Sequence, residues 1–294
     1  MSKLIFGCGY LGARVGRLWR ASGEQVYAVT RKIEWAREFE RAGYLPIVAD
    51  VTRPESLARL PAVDTVLFAV GFDRTSGATL EQVYVAGLQA VLDALSSDTK
   101  KLVYVSSTGV YGQQSGEVVD EDSPCEPDRA GGRASLAAER LLANHALGTR
   151  SIVLRMAGLY GPGRIPNADA IRRDEPLAVP VEGYLNLIHV EDAAQVVVLA
   201  AEKALPPKTY IVSDNHPVVR GEYYRELARL LKAPEPRFVA ADRDSPVAQR
   251  ASTSKRVSSD RLLRELELSF LYPDYRAGLA AIFRDDRDAS ASAV

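Results

Sequence analysis

Three glycines and two cations near the amino end have the types and spacing to hold a phosphorylated cofactor. Gly7, Gly9 and Gly12 punctuate the run Gly7-Cys8-Gly9-Tyr10-Leu11-Gly12, and Arg31-Lys32 follow after a second apolar segment. In such a run the first glycine permits a tight turn and the second lets the main chain approach a pyrophosphate. The third allows the next helix to pack closely on the sheet. Tyr10 and Leu11 complete the turn, and the helix behind them offers free N–H groups with a partial positive charge. An NAD site usually places Asp or Glu at the tip of the second strand to accept from the ribose hydroxyls. Here that tip reads Val29-Thr30-Arg31-Lys32, with no carboxylate before Glu34. An arginine fork suits a 2′-phosphate, so the residues favour NADP over NAD. The alternative is a pair of solvated loop cations.

To act together these groups need a strand, turn, helix and strand in succession, and the sequence supplies that order. Residues 3–6 and 25–30 read as strands, with a helical segment to about residue 21 between them. Further strands are expected at 45–49, 65–70, 101–106 and 151–155, and helices at 79–95 and 135–145. This alternation predicts an α/β fold: a Rossmann-type, doubly wound parallel sheet of six or seven strands. From 158 to 180 the chain is rich in Gly, Pro and Arg, which favours irregular structure. Helices are expected at 193–203, 220–231, 260–266 and 275–283, a short strand at 208–212, and a frayed tail from Asp285. The expected division is a dinucleotide-binding domain at 1–157, completed by about 186–203. A small, mostly C-terminal substrate lobe would comprise 158–185 and 204–284, and 285–294 would form the tail.

Composition narrows the classes. A chain of 294 residues with 47% hydrophobic residues can bury a full core. A net charge of -1 leaves no basic excess to displace counterions, which argues against a nucleic-acid partner. Cys8 and Cys125 lie far from any metal-ligand spacing and read as reduced thiols. The first strand starts at Lys3, leaving no room for a signal peptide, and no apolar run approaches membrane-spanning length. The expectation is a soluble cytoplasmic protein with no membrane partner and no metal. The acidic stretch Glu117-Val118-Val119-Asp120-Glu121-Asp122 reads as a solvated loop, since its spacing fits no metal cage.

Further motifs follow in order: Ala69-Val70-Gly71, then Ser106-Ser107-Thr108-Gly109-Val110-Tyr111-Gly112, then Gly158-Leu159-Tyr160-Gly161-Pro162-Gly163-Arg164, then Ile188-His189-Val190-Glu191-Asp192, and finally Leu271-Tyr272-Pro273. Together they resemble the extended short-chain dehydrogenase/reductase superfamily, of the NAD-dependent epimerase/dehydratase type. The glycine turn looks like its atypical branch. The resemblance implies that Asp50 and Val51 meet the adenine and that Ala69, Val70 and Gly71 line the cofactor. It also implies a homodimer contact through 79–96 and 131–147. For Asp50, capping the next helix is the competing role.

Catalysis in that superfamily rests on a Ser or Thr, a Tyr, and a Lys four residues after the Tyr. Ser107 matches the hydroxyl. Gly131 stands where the Tyr is expected and Ser135 where the Lys is expected, and neither can exchange the required proton. Tyr111 is the candidate relocated phenol, with Arg133 as a nearby cation and His189 as a more distant acid/base. Tyr111 could equally pack near the nicotinamide, and His189 reads more simply as a structural histidine. Asp192 reads as a helix cap or first-turn acid, favourable near the positive end of the dipole. Arg164, Arg172 and Arg173 are candidates for an anionic substrate or for surface solvation.

Three readings stay open. One is an oxidoreductase or epimerase with substitute groups, acting on a carbonyl or hydroxyl substrate, nucleotide sugars included. The second is a catalytically weak NADP-binding sensor or regulator. The third is an isomerase or lyase without net hydride release. A sugar-nucleotide dehydratase is disfavoured, because Thr108-Gly109 occupy the places of its usual Asp-Glu.

Overall fold

Short apolar runs become inner strands because both of their faces are covered. In the computed structural model, which describes residues 1–240 and 254–291, seven strands form the main sheet. They are β1 (Ser2–Phe6), β2 (Gln25–Thr30), β3 (Leu45–Val48), β4 (Thr65–Phe68), β5 (Lys101–Ser107), β6 (Ser151–Met156) and β7 (Lys208–Val212). Their spatial order is β7-β6-β5-β4-β1-β2-β3, and every pairing is parallel. Phe6 at the end of β1 pairs with Val29 on one side and Phe68 on the other. The order of strands reverses there, which opens a crevice at their carboxyl ends.

Helices α1 (Gly12–Ala21), α2 (Ile33–Arg41), α3 (Gly87–Ala94), α4 (Ala130–Asn144) and α5 (Val190–Lys203) cover the sheet. Successive β1 residues point to opposite layers. Ile5 packs with Val15, Trp19 and Val197, whereas Leu4 and Phe6 pack with Leu88, Val91 and Leu142. A third apolar cluster gathers Tyr160, Ile171, Leu177, Tyr223, Leu227 and Leu279 beyond the sheet's carboxyl edge.

Several elements depart from expectation. The expected helix at 79–95 contains a π-helical turn, Gln82–Ala86, before α3. That wider turn sits where Gly87 presses on Val51: a Cβ there would lie 2.9 Å from Val51 Cγ2. Helix α4 starts at Ala130, ahead of the expected 135, and runs through two glycines. Gly132 permits this, because a Cβ there would lie 2.1 Å from the Gly109 carbonyl oxygen. Helix α2, not foreseen, buries only Ala36 and so leaves little apolar pattern to detect. The irregular stretch holds a short helix, Ala168–Arg172. The last helix spans Tyr275–Ala291, past the point where fraying was expected. Residues 292–294 of that tail, and 241–253 of the expected lobe, lie outside the described residues.

The acidic stretch is a correction. Glu117–Val119 is a strand paired in parallel with Lys255–Val257. The Glu121 side chain is 2% exposed, and its carboxylate accepts the Ile211 N–H at 2.8 Å. That bond closes part of the β7 edge, on which no further strand lies among the described residues.

Beneath it, β6 carries a charged residue through the core. Arg155 donates from Nη2 to Glu139 Oε2 at 2.7 Å and from Nη1 to the Tyr111 hydroxyl at 2.7 Å. Ser106 donates to Glu139 Oε1 at 2.5 Å. Removing one member of a buried pair strands the other charge. Arg155→Met is therefore expected to cost about 3–5 kcal/mol in urea unfolding. Adding Glu139→Gln, whose amide oxygen still accepts from Ser106, should restore part of that loss.

Candidate active site

The chain leaves β1 through Gly7, at φ +85°. A Cβ on Gly7 would lie 2.3 Å from the Ala69 carbonyl oxygen, and one on Gly12 would lie 2.3 Å from the Gly7 oxygen. A Cβ on Gly9 would meet nothing within 4 Å. Two glycines are thus required by backbone packed against them, while the third presents bare main chain to open space. Leu11, the N-cap of α1, makes no side-chain cap bond, and no acid occupies the first turn. The positive end of α1 therefore faces the turn uncompensated.

Beside the turn lies a cavity of about 590 Å³. Of the residues expected to meet the cofactor, Gly7, Gly9, Arg31, Asp50, Val51, Val70 and Gly71 line it. The others sit behind or beside it. Leu11 belongs to the core, Gly12 backs onto Gly7, and Ala69 packs against the same layer as Leu11. Lys32 is exposed as the N-cap of α2. Tyr10 lies under the guanidinium groups of Arg14 and Arg164, 4.4 and 5.3 Å from its ring centre. Its hydroxyl donates to the Pro162 carbonyl at 3.3 Å, tying the turn to the 161–164 segment. Asp50 Oδ1 accepts from the N–H and hydroxyl of Thr52, so only Oδ2 is left to face a ligand donor. Sequence reasoning missed Trp35, Phe39, Arg53 and Asp73, which also line the cavity. The signal that could have found Trp35 is a large aromatic, 56% exposed, directly after the second strand.

The chemical end of the crevice is built on β5 and α4. Ser107 Oγ accepts the Gly109 N–H at 3.0 Å, which leaves its hydroxyl proton to donate. A Cβ on Gly131 would meet nothing within 4 Å, so the place expected for a tyrosine is open. Ser135 donates back to the Gly131 carbonyl at 2.9 Å. Tyr111 does not fill the gap. Its side chain is fully buried with Val110, Val119, Ile211 and Val257, and its hydroxyl is held by Arg155. Burial pushes the phenol up, Arg155 only partly opposing. As a relocated proton donor, Tyr111 is replaced by Tyr111 as a buried post. An amine that sequence reasoning overlooked comes close instead. Lys255, 6% exposed, donates to the Tyr111 carbonyl at 2.7 Å. Burial, with Arg129 and Arg220 adding to it, brings Lys255 down to about 8.

His189 is structural in its contacts. Nδ1 accepts the Glu191 N–H at 3.3 Å, making His189 the cap of α5, and the ring packs between Tyr160 and Tyr272. Burial lowers it to about 4. Asp192 lies in the first turn of α5, one of the two roles expected for it, while His189 is the cap; its carboxylate accepts the N–H groups of Leu271 and Tyr272 at 2.7 and 3.0 Å. Arg172 and Arg173 pair with Asp169 and Glu175 on the surface.

A model of the NAD dependent epimerase/dehydratase family matches residues 4–213. The chain belongs to that family. It is 30% identical over 280 residues to "Protein YeeZ" of Escherichia coli (strain K12), covering 92% of this chain and 96% of that protein. It is 27% identical to the "3-diazoavenalumate denitrifying reductase" of a Streptomyces species, covering 95% and 99%. A solved structure of a functionally unknown conserved protein from Silicibacter pomeroyi DSS superposes with a TM-score of 0.78 at 28% identity, covering 97% and 99%. Members of this family bind a dinucleotide cofactor and a small-molecule substrate. Among the described residues no helix is long and apolar enough to cross a membrane, and no group of three or more His, Cys, Asp or Glu could hold a metal ion.

Just past β7, Asp214 is 2% exposed, and burial pushes its carboxyl from 3.8 up to about 7. The folded state binds that proton more tightly than the unfolded chain. The resulting stability is complete below pH 3.8 and is lost as pH rises to about 7. His189 has the opposite sign: its contribution is complete above 6.5 and is lost as pH falls through about 4. The two oppose each other in the same window, so the difference between variants is the informative quantity. The melting temperature of Asp214→Asn relative to the unmodified protein is expected to rise from pH 5 to pH 8, read by differential scanning fluorimetry.

Proposed function

We propose that the protein is an NADP-dependent oxidoreductase acting on a carbonyl or hydroxyl group of a small molecule. The observation that carries the cofactor choice is the charge at the adenosine end. Arg31 and Arg53 line the cavity there together with Asp50 and Asp73, and Glu34, the first carboxylate after β2 and the place of an NAD-type acid, is not among the lining residues. The glycine turn fits a pyrophosphate, because the bare Gly9 backbone and the start of α1 both face the same opening. In this reading Asp50 Oδ2 accepts from the adenine amino group, Oδ1 being engaged by Thr52. The nicotinamide, when bound, supplies or takes a hydride.

At the reacting end, Ser107 orients the substrate oxygen with its hydroxyl proton. Gly131 and Ser135 do no proton chemistry: one has no side chain, and the other is bonded to main chain. The open volume over Gly131 admits a bulkier substrate, or water as the proton source. Similarity to a protein named as a reductase supports reduction as the working direction. A catalytically weak NADP-binding regulator is the second reading. The coincident loss of both titratable groups at 131 and 135 favours it.

Titration of the purified protein, followed through Trp35 emission, should show NADPH binding about tenfold or more tighter than NADH, a difference of about 1.4 kcal/mol. Arg31→Ala should remove most of that preference; a tighter NADH in the unmodified protein overturns the cofactor choice. In assays across a panel of carbonyl substrates, Ser107→Ala should lower kcat by about tenfold or more while leaving the NADPH Kd unchanged. NADPH binding without turnover on any carbonyl decides for the regulator.

A further inference from the structure

Resting on the NADP reading, one contact inside the cofactor cavity goes beyond it. Arg31 Nη2 lies 2.9 Å from Asp73 Oδ2, and both residues line the same cavity. Arg31 closes the tip of β2, and Asp73 sits on the loop leaving β4, so the pair bridges the crevice from opposite sides of β1. We infer that Asp73 is a specificity-determining residue: its carboxylate occupies the guanidinium face that a 2′-phosphate needs, and so sets how strongly this protein prefers NADPH over NADH.

The loop geometry aims the carboxylate. Asp73 Oδ1 accepts the N–H of Thr75 at 2.9 Å and its hydroxyl at 2.7 Å, while Ser76 Oγ donates to the Asp73 carbonyl at 2.7 Å. One residue earlier, the Phe72 N–H donates to the Tyr84 hydroxyl at 3.2 Å, and the two rings meet edge to face. With Oδ1 engaged in the turn, Oδ2 points at Arg31. The hydrogen bonds from Thr75, and then the one from Arg31, hold the carboxyl down near 2, so it is anionic throughout the working range.

Stability does not explain the pair. Its side chains are 47% and 41% exposed, and exposed pairs of this kind contribute little. In the cofactor cavity the same contact has a large consequence for binding. A phosphate arriving at Arg31 must displace the carboxylate, and then lies beside a negative charge that the turn holds in place. A ribose hydroxyl meets no such repulsion and gains Asp73 Oδ2 as an acceptor. Asp73 therefore weakens NADPH and favours NADH, which narrows a preference that Arg31 creates.

The test compares the NADPH and NADH dissociation constants of four proteins by fluorescence titration: unmodified, Asp73→Asn, Arg31→Ala and the double variant. Asp73→Asn should raise the preference for NADPH over NADH by about tenfold. The same substitution in the Arg31→Ala background should raise it clearly less, because no guanidinium remains to contest and only the direct effect of the carboxylate is left. A structural role for Asp73 would move both cofactors alike and would persist without Arg31. If Asp73→Asn leaves the ratio unaltered while Arg31→Ala collapses it, the inference fails and the NADP reading stands. If Arg31→Ala leaves the ratio untouched, the NADP reading falls and the inference with it.

Discussion

Backbone against backbone, at the point where β1 gives way to its turn, is the contact on which the rest of this molecule depends. Gly7 lies over the Ala69 carbonyl and Gly12 over Gly7, each so close that a single added carbon would overlap an oxygen atom. That approach lets β1 and β4 run side by side with Phe6 opposite Phe68. It brings α1 down onto Ile5 and aims the helix's positive end at the crevice. The cavity is the space left when the turn on one side and the loop after β4 on the other diverge from that tight junction.

Charge is handled differently at the two ends of the crevice. At the end of the cavity beside β2 the ionic groups are half-exposed, as Arg31 and Asp73 are. At the chemical end they are buried and committed. Arg155 is fixed between Glu139 and Tyr111, Lys255 is fixed on the Tyr111 carbonyl, and Glu121 is fixed on the edge of β7. A desolvated charge is tolerable only when hydrogen-bonded. These groups brace the end of β5, where Ser107 lies, and the loop after it against α4, β6 and the strand at 255–257. Tyr111 is the hub of that bracing, which is why a phenol one turn beyond Ser107 is unsuited to a second role as proton donor.

Most of the sheet was legible because parallel, doubly covered strands need unbroken apolar runs, and residues 65–68, 101–107 and 151–156 supply them. The glycine turn was legible for the same kind of reason: its spacing reflects local geometry. Helix α2 escaped notice because it buries one residue, and Glu121 was misread because an acid in a polar stretch carries no sign of the strand edge it will cover. The helix was expected only from 135, past Gly131-Gly132, yet Gly132 is what allows α4 to start at Ala130.

The sequence by itself determined the fold class and the glycine turn at 7–12, since each depends on residues close together along the chain. Tertiary structure alone decided which ionisable groups face the crevice. Asp73 reaches Arg31 across 42 positions, and Lys255 reaches Tyr111 across 144. Pairings over such separations leave no periodicity or spacing in the chain. They exist only because the parallel sheet gathers the carboxyl ends of distant strands along one edge.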